Sequence, residues 1–548
     1  MFKSFKMNIK SRIEKRLKFL YKNNSNETCF ELLKLIDKYY SNKIISRKRI
    51  LYKSMNSKLF SENDVTLITY GDSIYRKGEK PLKTLNEFLL KHVGNTITCL
   101  HILPFFPYSS DDGFSVIDYK KVDPKLGSWK DIRRLDKNYR LMADLVINHI
   151  SSKSLWFKKF IQGDSNYKDY FIWYDHEIDT SKVFRPRTHP LLTKFDTKWG
   201  KKYVWTTFSE DQIDLNFSNP KVFIEMIDVL LFYFSQGIEI IRLDAIGFLW
   251  KKHNTNCFHL KETHEMVKLI RDITEYIAPY ACIITETNVP YDENISYFGD
   301  GDEAHMVYQF SFPPLVLDAF YRTDTSYLKK LYNKLNKINS NNLFFNFLAS
   351  HDGVGVLGAK GYLTEQEFNK LFSMIKKNKG LISYKSLSDG SKVPYEMNIN
   401  YFDALCGPEK NKSSNIKKFL ASQSVILFSK GIPGIYIHSL LGSRNWIEGV
   451  KKSGINRRIN REKLNYNKLL QELKLKSHRK EVLLNYKKLI EFRKSDESFN
   501  PYNSEKVLKS DNCLLVLQRK NRIVVINFSD DIVKYKLKEI KPYDVLII

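Results

Sequence analysis

The segment Ile238-Glu239-Ile240-Ile241-Arg242-Leu243-Asp244-Ala245-Ile246-Gly247 decides the fold. Its first half is a short, β-branched apolar run, the length of a buried strand and too short for a helix. It ends on an arginine, a carboxylate and a glycine, so a buried strand emerges there at a polar edge. The same pattern recurs at residues 67–70, 99–105, 141–148, 281–287, 306–312, 343–350 and 432–439, with helical stretches between. Eight buried strands alternating with helices predict an α/β fold, a closed parallel (β/α)8 or TIM barrel. Polar residues follow the runs: Asp72, Asp111, Asn148-His149, Asp244, Glu286 and His351-Asp352. Such a barrel builds its site from the C-terminal ends of its strands, so these distant positions are expected to meet at one mouth.

The barrel is expected to occupy residues 61–495. Two connections are too long for simple loops, 151–225 after the third strand and 353–412 after the seventh, and insertions of that length serve as lids or binding elements. Residues 1–60 read as amphipathic helices without a chemical motif. From 496 to 548 alternating apolar segments predict a small terminal β-domain. There are no internal repeats.

The 548 residues are 43% apolar and 14% aromatic, enough for a large core and for a site that stacks sugar rings. No apolar run approaches the roughly 20 residues needed to cross a bilayer. The first 20 residues lack the apolar core of a secretory signal. A cytoplasmic protein without membrane partners is expected. The six cysteines are far apart with no CxxC pair, which offers neither a disulfide framework nor a zinc site. The net charge is +28, and residues 1–50 hold 14 Lys and Arg against 4 Asp and Glu. The remaining excess is spread along the chain, with no arginine-rich tract, zinc finger or recognition helix. Nucleic-acid binding is therefore not expected, whereas a positive field drawing anionic substrates is.

Arg242 and Asp244 lie two residues apart in a strand and so on one face. The arginine is expected to keep that carboxylate ionised and oriented, as a nucleophile attacking an anomeric carbon requires; a structural ion pair is the alternative. Glu286 ends an apolar strand, where burial raises a carboxyl pKa and keeps it protonated as a general acid. Asp352 closes the seventh strand. Two carboxyls about 5–5.5 Å apart define a retaining double displacement through a covalent glycosyl-enzyme.

These segments resemble a known family. GFSVIDY (113–119), DLVINH (144–149), IIRLDAIG (240–247), TE (285–286) and SHD (350–352) resemble the α-amylase superfamily. LITYGDS (67–73), HILPFFPYSSDDGF (101–114), LGSWKDI (126–132) and INRRINREKL (455–464) are similar to its sucrose-phosphorylase branch. FRPRTHPLLTKF (184–195), ITETNVP (284–290), ENISYFGDGDEAHMVYQF (293–310) and IHSLLGSRN (437–445) resemble the glucosylglycerate phosphorylases within it. The resemblance covers roughly residues 60–548.

It implies Asp244 as nucleophile, Glu286 as acid/base and Asp352 as transition-state stabiliser. His149, Arg242 and His351 would bind the glucosyl unit, with Phe114 and Gln212 lining its pocket. Asp111 and Arg461 would pair to hold the 4-hydroxyl and close the pocket; Asp112, Arg457 and Arg458 are their rivals. Phosphate must outcompete far more concentrated water, so an anion site is needed, and arginine suits it through bidentate contacts. Arg187 is the first candidate, Arg185 the second, with Tyr395 nearby; bracing of the insertion is the alternative for both arginines. The implied partners are an α-glucoside and inorganic phosphate, and no metal or organic cofactor is expected. Two departures from sucrose phosphorylases, Thr285-Glu286-Thr287-Asn288 and Pro394-Tyr395-Glu396-Met397-Asn398, border the acceptor side and put a sucrose preference in doubt.

Overall fold

The computed structural model describes residues 2–55, 58–339, 341–386, 391–408 and 413–548. Eight parallel strands form the centre: β1 (Thr66–Thr69), β2 (Cys99–Ile102), β3 (Arg140–Leu145), β4 (Ile238–Leu243), β5 (Cys282–Thr285), β6 (Met306–Tyr308), β7 (Leu343–Phe347) and β8 (Ile432–Tyr436). Each pairs with the next in sequence, and β8 closes the ring on β1, with Ile68 opposite Tyr436. Their residues are almost all buried, because side chains fill the barrel and helices cover its outside. The expected barrel is therefore present. The sixth strand is shorter than its apolar run. Phe312 already opens the helix Phe312–Arg322, whose first turn carries Pro313 and Pro314, which a helix tolerates only there.

The insertion after β3 is clamped at both ends. His149–Ser151 pairs antiparallel with Gln212–Asp214, holding the start and finish of the excursion together at the barrel mouth. Lys251, just after β4, fixes the clamp through Asp214 at 2.6 Å and Asn148 at 2.6 Å. Between the ends, Trp173–Tyr174, Leu192–Thr197 and Gly200–Trp205 form a small sheet. After β7, Val354–Gly355, Lys392–Asn398 and Leu381–Ser386 make a second three-stranded sheet over the mouth. At the C-terminus Glu505–Val507, Leu514–Arg519, Arg522–Asn527 and Val545–Ile547 form a four-stranded sheet beside a hairpin of Val533–Tyr535 and Lys538–Ile540.

The helices α1 (Phe2–Tyr21), α2 (Ser25–Tyr40) and α3 (Lys43–Met55) lie against the outside of the barrel. Arg12 and Arg16 reach Asp272 at 2.8 and 2.6 Å on the barrel helix Lys261–Ile277, and Lys48 bridges Asp136 and Glu239. Part of the basic excess of this segment is thus neutralised against acidic groups of the barrel. All six cysteines are free, four of them buried. Among the described residues no helix is long and apolar enough to cross a membrane.

Candidate active site

The site is organised around one buried arginine. Arg242, on β4, directs Nη1 to Asp144 at 2.6 Å and to Asp244 at 2.5 Å, and its Nη2 lies 3.8 Å from Glu286. Asp144, at the end of β3, is held in turn by His101 of β2 at 2.8 Å. Four adjacent strands thus contribute to one charge network, because every second residue of a barrel strand points inward. Asp244 and Glu286 touch neighbouring nitrogens of a single planar guanidinium. Their nearest oxygens are therefore closer than the roughly 9.5 Å upper limit seen between glycosidase carboxyls. The turn after Asp244 completes the arrangement. Ala245 takes a left-handed conformation (φ 49°), costly for a residue with a Cβ, and so aims its N–H at Glu286 Oε2, 3.1 Å away.

Burial dominates the electrostatics. It raises Glu286 to about 7 against the pull of Arg242, with Asp244 and Asp352 adding to the rise. Burial also raises Asp244 to about 6, outweighing Arg242. Arg242 holds and orients that carboxylate, but it is shared with Asp144, whose own charge opposes ionisation of Asp244. Both carboxyls are thus raised by burial while sharing the pull of one guanidinium, and the charge on either one opposes ionisation of the other. For Asp352 the cost of burial is overcome by Arg457 and Arg461, which hold it well below the usual carboxylate range. His149 and His351 are pushed down by burial and stay neutral.

One wall of the cavity is formed by Phe114, stacked on His351 with ring centroids 4.8 Å apart. His149 bonds the Phe114 carbonyl at 2.9 Å and Gln212 at 3.1 Å, which ties the wall to the clamp after β3. The expected pairing of Asp111 with Arg461 is not formed. Arg461 binds Asp112 at 2.7 Å, and Asp112 also takes Arg458 at 2.5 Å. The reason is local. Asp111 and Asp112 are both left-handed (φ 51° and 50°), ahead of Gly113 (φ 114°), where a Cβ would stand 2.6 Å from the Pro104 carbonyl. The tight turn splays the two carboxylates apart, Asp112 to the arginines behind and Asp111 to the cavity beside Gln212 at 3.5 Å. Arg461 instead braces the wall through the His351 carbonyl at 2.7 Å. Arg457 faces the cavity, bonded to Asp352 at 2.5 Å and Glu396 at 2.9 Å.

Arg187 also lines the cavity, near the rings of Phe208 and Tyr395, 5.6 and 5.9 Å from their centroids. Among the described residues no carboxylate pairs with it. Arg185 does not line the cavity. It turns into its own insertion and donates to the His189 carbonyl, the bracing alternative. Phe184 and Phe258 stack 4.5 Å apart beside Phe248, an apolar flank that excludes water.

Residues 89–383, more than half of the chain, match the alpha-amylase family model described as "Alpha amylase, catalytic domain". The chain is 52% identical to the glucosylglycerate phosphorylase of Spirochaeta thermophila, over 84% of this chain and 78% of that protein. It is 43% identical to that of Escherichia coli, over 90% of this chain and 88% of that one. The chain belongs to the glucosylglycerate phosphorylase family. In fold it is also similar to the crystal structure of sucrose 6F-phosphate phosphorylase from Thermoanaerobacter thermosaccharolyticum, with TM-score 0.75 and 26% identity over 89% of this chain and 98% of that one.

Within this glucosylglycerate phosphorylase fold, sequence reasoning missed three parts of the site. Asp144 was visible only as part of a motif, yet it is the hub between His101 and Arg242. Glu396 lay in a quoted segment but gained its meaning only when the sheet after β7 brought it to Arg457. Asp112 had been set aside for its neighbour, and no spacing rule distinguishes two adjacent carboxylates in a strained turn.

Proposed function

We propose that the chain phosphorolyses 2-O-α-D-glucosyl-D-glycerate reversibly to α-D-glucose 1-phosphate and D-glycerate, with retention. Asp244 attacks the anomeric carbon as the glycosidic C–O bond breaks, and its electron pair leaves with the glycerate oxygen, which takes the Glu286 proton. A phosphate oxygen then attacks the glucosyl carbon, Asp244 departs, and the phosphate proton passes to Glu286. Asp352, fixed by Arg457, grips the sugar hydroxyls, and the neutral histidines serve as hydrogen-bond partners. Arg187 holds the attacking phosphate.

The observation that carries this reading is the joint hold of Arg242 on two buried carboxyls, Asp244 at 2.5 Å and Glu286 at 3.8 Å, both raised by burial. Two like charges sharing one cation favour one anionic and one protonated carboxyl, the division a double displacement needs. The acceptor rests on the relatives, which are glucosylglycerate phosphorylases. The test is to incubate the protein with phosphate and, in turn, glucosylglycerate, sucrose, sucrose 6′-phosphate and glucosylglycerol, measuring glucose 1-phosphate. Fastest release from glucosylglycerate is expected. Faster turnover of another glucoside would overturn the acceptor, and free glucose at a rate indifferent to phosphate would overturn the phosphorylase.

A further inference from the structure

The strained turn that splays Asp111 and Asp112 is held by a residue outside it. Asp211 stands near the end of the insertion after β3, one position before Gln212, and is half-buried. Its Oδ2 lies 2.5 Å from the Ser109 hydroxyl, 2.5 Å from that of Ser110 and 2.8 Å from that of Ser115. Its Oδ1 accepts from the Ser152 hydroxyl at 2.5 Å. Ser109 and Ser110 precede the turn, Ser115 follows it, and Ser152 opens the insertion. Burial would raise the Asp211 pKa, yet the four hydroxyls hold it below the usual carboxylate value. Hydrogen bonds to an ionised acceptor are the stronger kind.

The turn needs such a hold. Aspartate tolerates the left-handed conformation better than most residues, but as a single residue, and here Asp111 and Asp112 adopt it in succession. A backbone of this kind persists only where its surroundings fix it. Ser109 N–H donates to the Ser115 carbonyl at 3.1 Å and closes the base of the loop, while the bonds within the tip are longer, 3.2 Å from Phe114 to Asp111 and 3.4 Å from Gly113 to Ser110. Arg458 and Arg461 hold the tip through Asp112. Asp211 is the anchor shared by both legs of the loop and both ends of the insertion, since Ser152 N–H also donates to its carbonyl at 2.9 Å. The next residue, Gln212, then stands 3.5 Å from Asp111 in the cavity.

We propose that Asp211 is a positioning residue of the active site: by gathering the serines on either side of the turn, its carboxylate sets where Asp111 and Asp112 point. It touches no substrate and acts through those two groups. The proposal rests on the phosphorylase reading and adds to it the device that keeps a strained loop in its working shape.

The test uses the full-length protein with Asp211→Ala, Asp211→Asn and Ser110→Ala, each measured for phosphorolysis of glucosylglycerate and for melting temperature. Asp211→Ala is expected to lower kcat/KM about 10- to 100-fold, since a misplacement of about 1 Å costs about 10²-fold. Asp211→Asn keeps an oxygen for the serines and should recover part of that loss. Ser110→Ala removes one hydroxyl and should cost about two- to tenfold. The deciding step places Asp211→Ala in a chain that already carries Asp111→Asn and Asp112→Asn. There it should cost less than about threefold, because the groups it positions have already been altered. An undiminished loss in that background would overturn the proposal, as would a fall in melting temperature with kcat/KM unchanged. Should Asp211→Ala fail to fold, Asp211→Asn and Ser110→Ala run the same cycle, and fully additive losses would overturn the proposal equally. An unaltered protein that released no glucose 1-phosphate would end the phosphorylase reading itself, an outcome separate from these.

Discussion

Replacing Glu286 by Gln removes the proton donor and leaves an oxygen that still accepts from the Ala245 N–H. A positioned general acid contributes about 10²–10⁴ in rate, or about 3–5 kcal/mol of barrier. The upper half of that range is expected with glucosylglycerate, because a secondary alkoxide is a poor leaving group. The pH profile makes the argument specific. Asp244 must be ionised and sits near 6, so kcat/KM of the unaltered protein falls on the acid side. Glu286 must be protonated and sits near 7, so kcat/KM falls on the alkaline side by about tenfold per pH unit. The two limbs belong to the coupled pair, which predicts a narrow bell between them. α-Glucosyl fluoride departs without a proton. With it Glu286→Gln should keep most of the rate of the first step and lose the alkaline limb. An alkaline limb that persists in the variant, or equal losses with both substrates, would refute the assignment.

The same substitution has a stability signature. The folded-state pKa of Glu286 lies above its unfolded value, so its contribution is present below about pH 4 and lost as the pH rises through about 7. Glu286→Gln should therefore melt like the unaltered protein near pH 4 and higher than it at pH 8. Arg187→Ala should raise the KM for phosphate about 10- to 100-fold and shift the product from glucose 1-phosphate towards free glucose, measured by parallel sugar assays. Asp112→Asn should weaken donor binding about tenfold by releasing Arg458 and Arg461 together; a loss confined to Asp111→Asn, with Asp112→Asn neutral, would restore the pairing expected from the sequence. Arg16→Met removes one of the two arginines on Asp272 and should cost about 1–2 kcal/mol in denaturant unfolding, since Arg12 still holds the carboxylate, with kcat unchanged.

The barrel was legible because all eight strands are buried on both faces and therefore read as apolar runs. The terminal sheet was legible in part: Leu514–Arg519, Arg522–Asn527 and Val545–Ile547 carry apolar runs, whereas Glu505–Val507 and Val533–Tyr535 are short and interrupted by a lysine. Arg242, Asp244 and Glu286 could be grouped from strand parity alone. Parity fails beyond the strands. The order of Asp111 and Asp112 is set by two left-handed residues, and Arg185 and Arg187 diverge because one finds the His189 carbonyl within its own loop.

Whether Asp244 becomes glucosylated is the point on which the mechanism stands. Glu286→Gln mixed with α-glucosyl fluoride without phosphate, quenched in acid and digested, should yield the peptide containing Asp244 heavier by one glucosyl residue, and added phosphate should discharge it. Label on Glu286 or Asp352, or none at all while fluoride is released, would contradict the account.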